Sequence, residues 1–263
     1  MYNKEKFQEY LAGKTSEGTK QFIKALNKKK LSMQFVVDIS GSMEGDPIDS
    51  INKSIVKFKS DLMRDKNADD IVECSFIVFN EEWQVIQDWC SPSEINVPTL
   101  HAEGGTNIST PMNEAVKRVR ERTHLHAKLG CEVLRPIIVL ISDVDSTVGE
   151  SMRDISNMAV PLRHRIYDGK LDLLTLAVGE YNEEIMGIIT EGEGVVEVSD
   201  GLAYNHEKEA IKEFFDFATK SAIAVSRSAP GEDVHVDHII ADEEAGSKLR
   251  VPSFAERFFN RKK

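Results

Sequence analysis

The sequence predicts an α/β fold: an open, doubly wound, mostly parallel Rossmann-like sheet with one antiparallel edge strand, flanked by helices. Three observations carry that expectation. Short apolar runs alternate with segments of helical periodicity from residue 31 to about 226. The run Pro136–Ser142 is apolar on both faces, as a central strand covered by helices on each side must be. Two further runs, Ile71–Phe79 and Trp83–Trp89, are separated only by Asn80, Glu81 and Glu82, a spacing that joins antiparallel neighbours.

The elements follow in order. Leu31–Val37 reads as the first strand. Ile48, Ile51, Ile55, Phe58 and Leu62 recur at helical spacing, with Asp46 as N-cap and Pro47 at the first helical position. The hairpin comes next. A second helix follows Thr110 and Pro111, with Met112, Ala115, Val116 and Val119 on one face. After the central strand, Met152, Ile155, Ala159, Leu162 and Ile166 mark a helix that Pro161 is expected to kink or split. Leu171–Val178 is another buried strand, residues 182–189 form a short helix, and Val195–Val198 form a short strand. A last helix, about 206–226, packs through Ile211, Phe214, Phe215, Ala218, Ala222 and Val225.

The chain has 263 residues, of which 41% are hydrophobic, so it can bury a sizeable core. Its 16 Gly, 8 Pro and 3 Cys exclude collagen, low-complexity and disulfide-scaffold classes. The net charge is −11, unevenly spread. Residues 1–30 hold eight Lys against three Glu, whereas 31–229 are strongly acidic. Such a balance argues against nucleic acid as a partner and for a body that attracts cations. No segment approaches the length of a membrane span or a signal peptide, and the cysteines lack metal-site spacing, so a cytoplasmic protein is expected. Three parts are expected: a helical extension over 1–30, one domain over 31–229, and a poorly ordered, acidic-then-basic tail over 230–263.

In open α/β sheets ligands bind beyond the carboxyl ends of the strands, near the switch in strand order. The loops that follow strands therefore matter most. After the first strand come Asp38, Ser40 and Ser42, with Gly41 allowing a tight bend, so that three oxygens can be aimed at one point. A second loop, Glu103–Asn107, has two glycines that let Thr106 approach the same point. The central strand ends on Ser142 and Asp143. Hard divalent cations take oxygen ligands, and Mg²⁺ uses few carboxylates while keeping several waters.

Asp38, Ser40, Ser42, Thr106 and Asp143, in this order and on these strand ends, resemble the metal-ion-dependent adhesion site of von Willebrand factor A domains. The resemblance covers about residues 31–226. It implies that Ser40, Ser42 and Thr106 ligate Mg²⁺ (or Mn²⁺) directly, while Asp38 and Asp143 act largely through bound waters and hydrogen bonds. It further implies a protein partner whose Asp or Glu completes the coordination, and no enzymatic reaction. The stretch from Asp38 to Ile48 is most similar to bacterial cytoplasmic members associated with tellurium-resistance and stress gene clusters. One departure stands out: the family usually has Thr-Asp-Gly at the third loop, where this chain has Ser142, Asp143 and Val144.

An alternative from another class starts at Asp143, Asp145 and Thr147, which resemble the nucleophile motif of haloacid-dehalogenase-type phosphatases. Asp143 would be the nucleophile and Asp145 the acid/base, with Mg²⁺ assisting, Thr175 as the later hydroxyl and Asp200 as a later acid. Residues 176–199 contain no Lys, which that reading needs. Among weaker features, His124 and His126 are expected on a solvated surface, since two residues apart they share no helix face. His235 with His238 lacks a partner ligand, and Glu191 with Glu193 reads as a polar turn rather than a Ca²⁺ loop. Phe258 and Phe259 beside Arg257, Arg261 and Lys262 form a candidate docking end.

Overall fold

The sheet grows outward from two central strands. A computed structural model of the chain describes residues 29–144, 149–179, 181–190, 195–199 and 207–228, with the backbone alone for 195–199 and 207–209. Strand β1 (Lys29–Asp38) and strand β5 (Ile137–Ser142) are neighbours at the middle. On one side lie β2 (Val72–Phe79) and then the edge strand β3 (Trp83–Cys90). On the other lie β6 (Asp172–Ala177) and β7 (Val195–Ser199), giving the order β3-β2-β1-β5-β6-β7. All pairings are parallel except β2 with β3, and a two-residue strand β4 (Glu132–Val133) adds to the start of β1. The doubly wound, mostly parallel sheet with one antiparallel edge strand is thus as expected.

Among the described residues, six helices cover the sheet: α1 (Asp46–Arg64), α2 (Lys66–Ile71), α3 (Ser109–Lys128), α4 (Met152–Tyr167), α5 (Glu183–Thr190) and α6 (Glu207–Arg227). Strand alternation divides the core in two. Leu31, Met33, Phe35 and Val37 face α1, α2 and α6, where Phe35 stacks on Phe76 at 4.5 Å and meets Phe58 edge-on at 5.0 Å. Val36, Ile138, Leu140 and Leu173 face α3, α4 and α5. Both faces of β5 are buried, which is why its sequence lacks polar alternation.

The described residues also correct several details. The N-cap of α1 is Gly45, at φ +85°, and Asp46 is the first helical residue. Helix α4 runs unbroken through Pro161. Pro161 and Asn157 both lie on the exposed face, so the Asn157 carbonyl that loses its helical donor can bond to water. Lys29 and Lys30 already belong to β1 and pair with β4, two residues inside the segment assigned to the helical extension. The remainder of that extension, residue 229, the tail with His235, His238, Phe258 and Phe259, and Glu191 with Glu193 lie outside the described residues.

His126 is not on a solvated surface. It is buried, and its Nε2 lies 2.8 Å from the Glu73 carboxylate of β2, while His124 is exposed. Arg122 Nε donates to the same Glu73 oxygen at 2.7 Å, and Lys30 Nζ reaches the other at 3.3 Å. Burial raises the Glu73 carboxyl, but hydrogen bonds from His126 and Arg122 outweigh it and hold it at about 2. One turn earlier on α3, Arg118 donates to Asp88 at 2.5 Å, to Ser75 Oγ at 3.1 Å and to Gln34 at 3.3 Å. Both arginines lie over the Trp89 ring, at 5.9 and 5.8 Å. The lower half of α3 is therefore joined to β1, β2 and β3 largely by directional polar contacts.

Candidate metal centre

In this strand order, connections leave β1 toward one edge and β5 toward the other, so the switch point lies between these two strands. Asp38 is the last residue of β1, and Asp143 is the first residue after β5. The fold thereby brings the two acids to the position where open α/β sheets bind ligands.

The Asp38 carboxylate is fully buried and fixed at both oxygens. The Ser40 N–H donates to Oδ1 at 2.8 Å, and the Ser142 hydroxyl donates to Oδ2 at 2.5 Å. Ser142 Oγ in turn accepts the Val144 N–H at 2.8 Å. Ser142 is a site residue outside the five expected from the sequence; its signal is a hydroxyl closing a strand whose other residues, 137–141, are all apolar. In the first loop, a short 3-10 turn over Gly41–Met43 turns the hydroxyls of Ser40 and Ser42 to within 3.0 Å of one another.

Backbone bonds lock the second loop onto the first. Gly41 N–H donates to the Gly104 carbonyl at 2.9 Å, and Glu103 N–H donates to the Ile39 carbonyl at 2.8 Å. A Cβ on Gly41 would stand 3.3 Å from that Gly104 oxygen, so this close approach explains a glycine between the two serines. The β2–β3 hairpin braces the same loop: Asn80 Nδ2 donates to the Glu103 carbonyl, and Gly105 N–H donates to the Glu81 carboxylate. Thr106 is buried within it, only 2% exposed. On the other side, the Asp143 carbonyl accepts from Asn182 N–H at 3.1 Å, which ties the third loop to the one after β6.

The five positions expected from the sequence therefore lie on three neighbouring loops, after β1, before α3 and after β5, the first two hydrogen-bonded to each other. Val144 follows with φ +48°, the left-handed conformation that glycine would adopt there without strain, and its side chain is wholly buried in the α3–α5 core. Replacing glycine thus leaves the loop in a glycine-like backbone conformation.

The electrostatics suit a cation. Burial pushes the Asp38 carboxyl up to about 6, Ser142 pulls against this, and the neighbouring Asp143 carboxylate adds to the rise. Around the loops Glu44, Asp46, Glu81, Glu82 and Glu103 are exposed, and residues 39–52, 80–82 and 101–108 contain no Lys or Arg. The donor set is all oxygen, with two acids and three hydroxyls, and fits a hard divalent ion. Among the described residues no group of three His, Cys, Asp or Glu side chains gathers, so this hydroxyl-rich site differs in kind from acid- or histidine-rich metal centres.

The phosphatase alternative finds less here. Thr175 lies inside β6, two residues short of its carboxyl end, and is fully buried away from the loops. Asp145, Thr147 and Asp200 lie outside the described residues.

No family model matches the chain. It is 32% identical over 127 residues to inter-alpha-trypsin inhibitor heavy chain H4 of Bos taurus, a match covering 44% of this chain and 13% of that protein. Among solved structures it is similar to a von Willebrand factor type A protein from Catenulispora acidiphila, with TM-score 0.54 and 14% identity over 74% of this chain and 43% of that one. It is also similar to proximal thread matrix protein 1 of the mussel byssus, with TM-score 0.52 and 16% identity over 73% of this chain and 46% of that one. That mussel structure has a zinc-occupied MIDAS motif. The chain thus spans about an eighth of the curated relative and under half of either structure. It has the von Willebrand factor A fold. Among the described residues, no helix is long and apolar enough to cross a membrane.

Proposed function

We propose that the chain is a metal-dependent protein-interaction module whose three loops form a metal-ion-dependent adhesion site for Mg²⁺, with Mn²⁺ as an alternative ion. Ser40, Ser42 and Thr106 would hold the ion directly, and Asp38 and Asp143 would do so through water and hydrogen bonds. A bound ion would supply an electrophilic point for an Asp or Glu of a protein partner. The observation that carries this reading is the convergence of the Ser40 and Ser42 hydroxyls beside a buried Asp38 carboxylate fixed at both oxygens. The zinc-occupied motif of the mussel protein, on the same fold, lends it support. So does the acidic rim, which concentrates cations near the loops.

The chain's own residues divide the work. Asp38 orients the first loop through the Ser40 N–H, Ser142 keeps Asp38 in place, and Gly41 permits the loop carrying Thr106 to close. We assign the site recognition and no reaction. On the resemblance of residues 38–48 we further propose a bacterial cytoplasmic role in a tellurium-resistance or stress system.

Calorimetric titration of Mg²⁺ and Mn²⁺ into metal-stripped protein, beside Ser40→Ala/Ser42→Ala, tests the reading. Binding by the wild type that the double variant loses, without phosphatase turnover, is the expected result. Equal binding by both proteins would refute the ligand assignment. Metal-dependent phosphate release abolished by Asp145→Ala would replace it with the phosphatase reading.

A further inference from the structure

Helix α3 begins without a cap of its own. Its N-cap residue, Ile108, has no side chain able to accept a hydrogen bond, although the first N–H groups of any helix need acceptors. The acceptors come from elsewhere in the chain. One carboxylate oxygen of Glu150 accepts the Ile108 N–H at 2.9 Å, and the other accepts the Ser109 N–H at 2.8 Å. Glu150 stands at the end of the third loop, just before α4, and Ile108 is two residues after Thr106. A single carboxylate therefore fastens the approach to α4 to the start of α3, two residues from Thr106.

The chemistry favours a strong contact. Both bonds are charge-assisted, they are bidentate, and they place a negative charge at the positive end of a 20-residue helix. The first and second loops are bonded through backbone groups, Gly41 to Gly104 and Glu103 to Ile39. Glu150 supplies a further join, between the exit of the second loop into α3 and the approach to α4. Resting on the metal-site reading above, we propose that Glu150 is a positioning residue for the metal centre: by fixing the start of α3 it holds Thr106 in place without itself being a ligand.

The test uses the full chain and Mn²⁺ as probe. Wild type, Glu150→Ala, Glu150→Gln, Thr106→Ala and the double variant Thr106→Ala/Glu150→Ala are titrated with Mn²⁺ at low and high salt. Amide exchange at Ile108 and Ser109 is followed in the metal-free proteins. Loss of a helix-capping acceptor of this kind should weaken Mn²⁺ binding by roughly 3- to 30-fold in Glu150→Ala. Glu150→Gln, which keeps the shape and one acceptor, should lie between it and wild type. In the Thr106→Ala background, removing Glu150 should change the affinity by less than about twofold, because the group it positions is gone.

An equal loss with and without Thr106, fading at high salt, would mean that Glu150 acts only as a distant charge, and the proposal would fall. Unchanged exchange at Ile108 and Ser109 in Glu150→Ala would overturn the clamp itself. If wild type binds no Mn²⁺ while those two amides lose protection on removing Glu150, the metal reading fails. The clamp would then be a structural cap alone, and its proposed role toward the ion would be refuted.

Discussion

Asp38 carries its charge where the fold has least room for one, and Asp38→Asn removes that charge while keeping the size of the side chain. Burial and the Asp143 carboxylate lift its pKa from 3.8 to about 6 in the metal-free protein, even after the opposing hydrogen bond from Ser142. At about 1.4 kcal/mol per pH unit, this corresponds to a destabilisation of about 3 kcal/mol at neutral pH. Because the folded pKa is raised, the penalty is full above pH 6 and fades as the pH falls from 6 toward 3.8. The Asn side chain can still accept from the Ser40 N–H and offer an N–H to Ser142 Oγ, whose own hydroxyl must then turn from Asp38 to another acceptor, a loss of about 1 kcal/mol that offsets part of the gain. In EDTA at pH 7, Asp38→Asn should therefore melt about 4–8 °C above wild type, with the gap closing as pH is lowered toward 4. Mg²⁺ at a thousandfold excess over Kd should reverse the order: wild type gains about 4.1 kcal/mol, and the variant gains nothing. Thermal melts with and without Mg²⁺ at pH 4, 5, 6 and 7 measure all of this. A variant that melts below wild type in EDTA at pH 7 would refute the view that the site stores charge repulsion for a cation to relieve.

Two other perturbations address features the metal does not touch. Glu73→Gln leaves Arg122, Lys30 and His126 without their shared carboxylate and should cost about 3 kcal/mol in urea denaturation at pH 7. Glu73 is held at about 2 against an ordinary 4.5, so its contribution is present above about pH 4.5 and disappears as pH falls toward 2. Wild type and variant should converge in acid, and a constant difference across that window would refute the assignment. At Val144, Gly relieves the left-handed backbone but loses the buried side chain, whereas Ala loses packing without that relief. Val144→Gly should therefore be at least as stable as Val144→Ala, reversing the usual order in which Gly is worse by roughly 0.5–1 kcal/mol. The ordinary order would show that the +48° conformation carries no strain.

Most of the fold was legible because its strands and helices have strong and different periods. Ile48 to Leu62 and Pro136 to Ser142 can hardly be read otherwise, the loops carrying Asp38 and Asp143 follow from the strand ends, and the one carrying Thr106 from the helix it precedes. What escaped the sequence were relations between distant residues. His126 looked solvated because helical spacing to His124 says nothing about Glu73, 53 residues earlier in the chain. Pro161 looked like a break because sequence alone does not show that Asn157 faces water. Ser142 and Glu150 looked like ordinary polar residues because their partners, Asp38 in one case and the α3 amides in the other, come together only in the folded sheet.

The polar seam beneath α3 has a mechanical consequence. An apolar helix face can slide by a fraction of a turn, exchanging one greasy contact for another at little expense. Helix α3 has no such freedom: Arg118, Arg122 and His126 engage fixed acceptors on three strands, and an axial shift would break these bonds together. The anchor residues lie about 15–25 Å along the helix from its upper end at Ser109. Thr106, three residues before Ser109, therefore sits at the tip of a strut bolted to the sheet at its foot.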